Sequence, residues 1–266
     1  MTITKIIGIL ATIYLSVLFI VFLTQRKLLY YPDTNSYLEE KNLKHKIEKI
    51  FIRTEDGLNL RAWFHKKNNV EKTLLFFHGN AGNLENRIYK LNHLGDLNIN
   101  YLILAYRGFN GNSGNPTEKN IYLDAKSALT WLNSKGIADK NIILYGESLG
   151  TAVAIEVAKD KNFSGIILES PFTSMIEMGK VYYPYLPVRL LLKDKFDNQS
   201  KIKSINSPIL VMHGRKDKIV PFYMGKKIFD LANKPKYSYF IDFDEHMMSF
   251  DLNLIKAIET FIKGLK

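Results

Sequence analysis

The sequence predicts an α/β domain, a mostly parallel sheet with helices on both faces and a short helical cap, carried behind an N-terminal transmembrane helix. Three observations lead there. Short apolar runs alternate with helix-length patterns between residues 73 and 168 and again between 208 and 262. Such alternation marks βαβ crossovers, because parallel strands covered on both faces are apolar throughout. The segment Ile6 to Gln25 carries no charge. Finally, the apolar run Ile142 to Tyr145 feeds into Gly146-Glu147-Ser148-Leu149-Gly150 and then into an Ala- and Val-rich helical pattern.

The anchor comes first. As a helix rising about 1.5 Å per residue, Ile6 to Gln25 is about 30 Å long, the thickness of a hydrocarbon core. A cleaved signal peptide would have a shorter apolar region and a small-residue cleavage site, whereas here Leu23-Thr24-Gln25-Arg26-Lys27 follows. Tyr30 and Tyr31 stand where aromatic rings favour the interface. The expected organisation is an anchor over residues 1–27, a linker over 28–46 and a catalytic domain over 47–266, single-pass in the membrane. Lys5 on one side, against Arg26, Lys27 and the lysines from Lys41 onward on the other, favours a cytoplasmic catalytic domain by the positive-inside rule.

Ile47 to Arg53 and Leu58 to Phe64 alternate as two strands around the turn Glu55-Asp56-Gly57, an antiparallel start to the sheet. The βα series then reads Thr73 to Phe77, Tyr101 to Ala105, Asn141 to Tyr145 and Gly165 to Leu168 as strands, with helices over Leu84 to Leu97, Asn120 to Leu132 and Thr151 to Ala158. A second set has strands at Pro208 to Met212 and Tyr237 to Ile241, and helices at Tyr223 to Leu231 and Leu252 to Ile262. Between the sets, residues 172–207 are too irregular for a βα unit and too short for a domain. Their aromatic residues, among them Tyr182, Tyr183 and Tyr185, fit a cap over the C-terminal edge of the sheet, where open α/β folds bind ligands.

Composition narrows the function classes. An apolar content of 46% with 24% charged residues suits a chain with a sizeable core. The 37 basic and 26 acidic residues leave +11, spread in short lysine groups over a solvated surface, with no helix-turn-helix, zinc or RNA-binding signature, so no nucleic-acid partner is expected. Cysteine is absent, which excludes disulfides and a thiol nucleophile. The six histidines have no metal-ligand spacing, and the glycine-rich stretch Tyr106 to Gly114 lacks the ending of a phosphate loop, so neither metal nor cofactor is expected.

The chemistry rests on Ser148. A serine hydroxyl is a weak nucleophile until an oriented base takes its proton. In this kind of sheet the order is Ser, then Asp or Glu, then His, each after a strand. Asp217, in the loop after Ile209 to Met212, is the expected acid, and Glu169, Asp242 and Asp244 are its competitors. His246, after the last strand, is the expected base; His213 and His78 come too early and precede glycines at strand ends, where an imidazole often bonds nearby backbone. The Leu149 N–H, beside the nucleophile, is one expected oxyanion donor. The other is the Asn80 N–H in the loop His78-Gly79-Asn80-Ala81-Gly82-Asn83, with Ala81 in reserve.

These residues, with Tyr106-Arg107-Gly108, Glu169-Ser170-Pro171-Phe172, His213-Gly214 and Val220-Pro221, resemble the α/β-hydrolase superfamily over roughly residues 47–263. More narrowly the chain is similar to membrane-anchored, small-capped α/β-hydrolase-domain proteins, which also resemble serine peptidases of the prolyl-oligopeptidase type. The resemblance implies the α/β-hydrolase fold, the Ser148, Asp217, His246 triad and the anchor. One departure is Glu245, where the family has a small residue before the histidine, followed by Met247. The expected function is serine hydrolysis of carboxylic esters through an acyl-enzyme, with a small-molecule ester or acyl substrate, lipid-derived ones included, and the bilayer as partner of residues 6–25. A peptidase or amidase on the same triad and a non-catalytic membrane scaffold are the rivals.

Overall fold

The computed structural model describes residues 2–33 and 42–265. The middle of the expected linker, with Lys41, lies outside the described residues. The elements in order are α1 (Ile3–Leu29), β1 (Tyr31–Pro32), β2 (Glu48–Arg53), β3 (Asn59–His65), β4 (Thr73–Phe77), β5 (Ala81–Gly82), α2 (Ile88–Asp96), β6 (Asn100–Leu104) and α3 (Glu118–Ser134). They continue with β7 (Ile142–Glu147), α4 (Leu149–Ala158), β8 (Gly165–Glu169), α5 (Met175–Tyr182), α6 (Val188–Leu191), α7 (Asn198–Lys201), β9 (Ile209–Gly214), α8 (Phe222–Leu231), β10 (Lys236–Ile241) and α9 (Leu252–Lys263).

Eight strands form one sheet in the order β10-β9-β8-β7-β4-β6-β3-β2. The six from β10 to β6 run parallel, and the β2–β3 hairpin joins antiparallel through β3 against β6. Side chains alternate between the two faces, and both faces are buried over β4 and β6 to β9, while the edge strands β2 and β10 are partly exposed. Leu75, Phe77, Leu102, Leu104, Leu144, Ile166 and Val211 meet Ala125, Leu129, Ala152, Met224 and Ile228 from α3, α4 and α8. Their neighbours Leu74, Phe76, Tyr101, Ile103, Ile143, Tyr145 and Leu210 meet Leu91, Leu94, Leu254, Ile258 and Phe261 from α2 and α9 on the other side. That double coverage is why the strands read as unbroken apolar runs.

α1 is long and apolar enough to cross a membrane, and none of its residues is buried by protein. The hydroxyls of Thr12, Ser16 and Thr24 donate to carbonyls four residues back, which satisfies them without outside partners. Where α1 ends, the Arg26 guanidinium forms a bidentate pair with the buried Asp194 at 2.9 and 3.1 Å, and the Tyr30 hydroxyl donates to the same carboxylate at 3.2 Å.

Within residues 172–207 two parts differ. Phe196, Ile202 and Ile205 are buried in the core beside α4 and α8, whereas α5 is half-buried through Met175 and Met178 and exposure is concentrated at Lys180 to Tyr185 and at Arg189 and Leu190. A cavity of about 1070 Å³ lined by Phe163, Pro208, Leu210, Tyr237 and Phe261 lies at the N-terminal ends of β8 to β10, the opposite end of the sheet from Ser148.

Candidate active site

Ser148 occupies the turn between β7 and α4 with φ 51° and ψ −114°, a region costly for a residue with a Cβ, on the order of 1–3 kcal/mol. Its neighbours make the turn possible. A Cβ on Gly150 would lie 2.0 Å from the Phe77 carbonyl oxygen, and one on Gly146 would lie 2.5 Å from the Gly150 carbonyl oxygen. The helix therefore packs on its own strand and on β4 at a distance only glycine allows. The Ser148 N–H donates to Glu169 O at 2.9 Å, and its carbonyl accepts from the Thr151 N–H and hydroxyl. We expect Gly150→Ala to yield little soluble, folded protein, which expression followed by limited proteolysis would measure.

Asp217 follows β9 and is saturated with donors. Its Oδ1 accepts the N–H groups of Ile219 and Val220, both at 2.8 Å, while Oδ2 lies 2.8 Å from His246 Nδ1 and 3.1 Å from His213 Nε2. Burial pushes this carboxyl up, but the hydrogen bonds from His213, His246 and the backbone outweigh it and hold the group well below the usual carboxylate range. His246 Nε2 lies 3.0 Å from Ser148 Oγ. The loop bearing His246 is fixed by Ser170 Oγ donating to its carbonyl at 3.1 Å and by the Asp244 carboxylate, which accepts the Ser249 N–H and hydroxyl. Glu245 and Met247, which flank the histidine, both face solvent and leave the imidazole uncrowded.

The structure thus brings Ser148, Asp217 and His246 into one hydrogen-bonded chain. The competing residues go elsewhere. Glu169 is buried against Lys90 and the Tyr145 hydroxyl. Asp242 is exposed beside Arg215, and Asp244 braces its own loop. His213 bonds the Val220 carbonyl at 3.0 Å and also touches Asp217, a second imidazole on the same oxygen. Reading the residues one at a time missed this contact, although the separation of four positions across one strand-end loop was a signal for it. Among the described residues, no group of three or more His, Cys, Asp or Glu side chains could hold a metal ion.

His78 is fully buried at the end of β4. Its Nε2 accepts the Tyr106 N–H at 3.3 Å, so the proton sits on Nδ1, which donates to Gly79 O at 2.7 Å. Burial, with Arg87 nearby, pushes its pKa down to about 3 from an ordinary 6.5. Between those values the unfolded chain binds the proton that the folded chain refuses, so stability falls as pH drops, by at most about 1.4 kcal/mol per pH unit from this group. The depressed Asp217 adds loss of the same sign only below the ordinary carboxylate range. Because the buried Asp124, raised to about 6, acts in the opposite sense over the same window, the test is the difference: between pH 6.5 and 4.5 the melting temperature of the wild type is expected to fall relative to that of His78→Asn, and parallel profiles would refute the assignment.

The loop after β4, which carries the expected donor Asn80, is held from two sides. From within the sheet, Glu147 Oε1 accepts the Gly79 N–H at 3.1 Å. From the C-terminal end of α1, β1 pairs with β5, the Tyr31 N–H donates to Asn80 O at 3.3 Å, and Asn80 Nδ2 donates to Leu29 O. Neither the Asn80 N–H nor the Leu149 N–H has a protein acceptor among the described residues.

Beneath the serine lies a buried ion cluster that the sequence reading did not assemble. Glu147 meets Arg87 and Lys90 at 2.7 Å each, and Lys90 also meets both oxygens of Glu169 at 2.7 and 2.8 Å. Burial opposes charge on Glu147, yet Arg87 and Lys90 hold its pKa far below the ordinary value, while Glu147 and Glu169 keep Lys90 above its own. The available signal was that two apolar strands, β7 and β8, both end in glutamate.

Comparison with known proteins places this geometry. Residues 96–249 match the model of the prolyl oligopeptidase family. The chain is 33% identical over 234 residues to the uncharacterized protein Rv2307c of Mycobacterium tuberculosis, covering 87% of this chain and 83% of that one. It is 35% identical over 195 residues to human alpha/beta hydrolase domain-containing protein 17B, covering 72% and 66%. Among solved structures, the esterase Pf2001 of Pyrococcus furiosus aligns with a TM-score of 0.72 at 20% identity over 88% of this chain and 97% of that one. The acylaminoacyl peptidase of Pyrococcus horikoshii aligns with a TM-score of 0.65 at 15% identity over 85% and 43%. With an α/β-hydrolase sheet, a serine on its sharp turn and these relatives, the chain belongs to the prolyl oligopeptidase family of the α/β-hydrolase superfamily and is an enzyme of the hydrolase type.

Proposed function

We propose that this hydrolase is a membrane-anchored serine esterase. The observation that carries the reading is the chain from Ser148 Oγ through His246 to Asp217, with contacts of 3.0 and 2.8 Å. Ser148 attacks the ester carbonyl while His246 Nε2 takes its proton, and Asp217 holds the imidazole with its Nδ1–H turned inward. The Leu149 and Asn80 N–H groups receive the oxyanion. His246 then returns the proton to the departing alcohol, and water, activated by the same histidine, releases the acid from the acyl-enzyme. α1 holds the domain at the bilayer as a single pass, with the catalytic domain on the cytoplasmic side; a C-terminal reporter active only on the other face would refute that orientation.

Ester rather than amide cleavage is supported by fold neighbours that are esterases, including Pf2001 and one from Exiguobacterium antarcticum. The family name and the acylaminoacyl peptidase neighbour favour the second reading, a peptidase or amidase on the same residues. Acyl esters and matched peptide amides assayed side by side separate the two. We expect kcat/KM to favour the ester by at least about 100-fold, and a preference for the amide would replace the first reading with the second.

The clamp between anchor exit and loop has a kinetic consequence. Asn80→Ala keeps the backbone donor and removes the side-chain bond to Leu29 O. Oxyanion donors act only when placed, and losing one outright costs about 100-fold or more in kcat in other hydrolases. Partial misplacement is expected to lower kcat about tenfold with KM little changed, measured on a soluble ester.

A further inference from the structure

The exposed aromatic tip of the cap calls for a partner, and its position relative to α1 identifies one. We propose that the segment Tyr182 to Leu190 is a second membrane contact, lying against the lipid beside α1 so that the mouth over Ser148 opens onto the bilayer surface. This rests on reading α1 as the membrane span.

Four contacts tie α1 to the cap. Near its C-terminal end, Arg26 pairs with Asp194, Gln25 Nε2 donates to Leu191 O at 3.0 Å, and the Lys193 N–H donates to Gln25 Oε1 at 2.8 Å. Far from that end, the Tyr14 hydroxyl donates to Tyr185 O at 2.9 Å. Tyr14 is twelve residues before Arg26, about 18 Å along the helix at about 1.5 Å per residue. Arg26 and Lys27 are the first charges after the apolar stretch and belong at head-group level. Whatever meets α1 at Tyr14 is therefore on the lipid side of that level. A phenol in the middle of an apolar span also needs an acceptor that lipid chains cannot supply, and the cap carbonyl supplies it.

The cap has the composition for that position. Tyr182 to Pro187 carries no charge, and Tyr185 is 69% exposed and Leu190 84% exposed. Tyrosine and leucine side chains suit the boundary between head groups and acyl chains. Arg189 is exposed beside the tip, where an anionic head group can meet it, and the Lys193 ammonium lies over the Phe22 ring of α1 at 4.0 Å. The same tip reaches the catalytic loop, since the Tyr182 hydroxyl donates to Lys218 O and Ile219 O at 2.8 and 2.6 Å, next to Asp217. One exposed segment thus bridges the anchor and the Asp217 loop, which puts the site mouth at the lipid surface and favours esters resident in the bilayer over those in solution.

The chain has no cysteine, so single cysteines report cleanly. Full-length Leu15→Cys, Tyr185→Cys, Leu190→Cys and Phe51→Cys variants, each labelled with an environment-sensitive fluorophore, would be reconstituted into phosphatidylcholine and phosphatidylglycerol vesicles with or without lipids bearing a nitroxide on the acyl chain. All four side chains are exposed to begin with, and Phe51 is on the edge strand β2. We expect at least twofold quenching at positions 15, 185 and 190, and none at 51. Quenching at 15 with positions 185 and 190 as bright as 51 would overturn the cap contact and leave the anchor standing. No quenching at 15 would overturn the anchor reading itself and the cap contact with it. A Tyr185→Ser, Leu190→Ser double variant is then expected to lose fivefold or more in turnover of a long-chain ester held in vesicles, with hydrolysis of a soluble short-chain ester unchanged. Equal losses on both substrates would overturn the substrate preference.

Discussion

Ser148→Ala is expected to lower ester hydrolysis by about four to six orders of magnitude in kcat, the scale on which nucleophile removal acts in serine hydrolases. The variant should still fold and melt near the wild-type temperature. The backbone at this position has φ 51°, which alanine tolerates no worse than serine, and the Ser148 backbone bonds to Glu169 and Thr151 do not use the hydroxyl. A fluorophosphonate probe, which needs the activated hydroxyl, should label the wild type and leave the variant unlabelled. Asp217→Asn keeps the shape of the site but offers an amide where Oδ2 now faces both His246 and His213. It should lose about 10⁴ in kcat, because the imidazole is then held in the wrong tautomer. Labelling that persists in Ser148→Ala would remove the proposed mechanism, and a protein that neither labels nor turns over any ester would be a scaffold.

Lys90→Met is expected to destabilise the domain by about 3–5 kcal/mol, the range seen when one partner of a buried ion pair is removed. For a domain of this size that corresponds to a fall of about 10 °C in melting temperature. The Lys90 ammonium is fully buried, and three carboxylate oxygens lie within 2.8 Å of it, matching its three N–H donors. Without it, the buried Glu147 keeps Arg87 and the Gly79 N–H, and the buried Glu169 keeps the Tyr145 hydroxyl, with no cation left between the two carboxylates. Because Glu147 also holds the Gly79 N–H, the loop after β4 should loosen with it and activity should fall as well. The double variant Lys90→Met, Glu169→Leu removes one charge of each sign and should recover most of the lost stability. Urea or thermal unfolding of the two variants decides the point, and a double variant as unstable as the single one would show that lost packing, not unpaired charge, is the cause.

How much of this was legible beforehand differs element by element. The strands from Thr73–Phe77 through Ile209–Gly214 were readable because coverage on both faces leaves a plain apolar run, the edge strand Lys236–Ile241 by its position and aromatic residues, and helices such as α8 and α9 by a single apolar stripe, whereas α4 is apolar and buried nearly all round. The irregular middle was harder. Phe196, Ile202 and Ile205 look in sequence like their exposed neighbours Tyr185 and Leu190, yet the first three are in the core and the last two are outside it. What separates them is only this difference in packing; no local periodicity marks it, since short loops and single helical turns follow the surface they pack on.

The fold class, a long apolar N-terminal helix and the order of Ser148, Asp217 and His246 along the chain were legible from the residues alone, because burial pattern, chain length and strand-to-loop order are one-dimensional properties. Which groups meet is settled in three dimensions. Packing put His213 beside His246 on one carboxylate oxygen, seated Lys90 between two strand-end glutamates, and laid the short strand after α1 on the loop after β4. Each of these joins residues from separate elements. Hydrogen bonds and ion pairs act over about 3 Å, so which residues share them depends on how the crossovers bring strand ends together, and the spacing of residues along the chain carries no record of that.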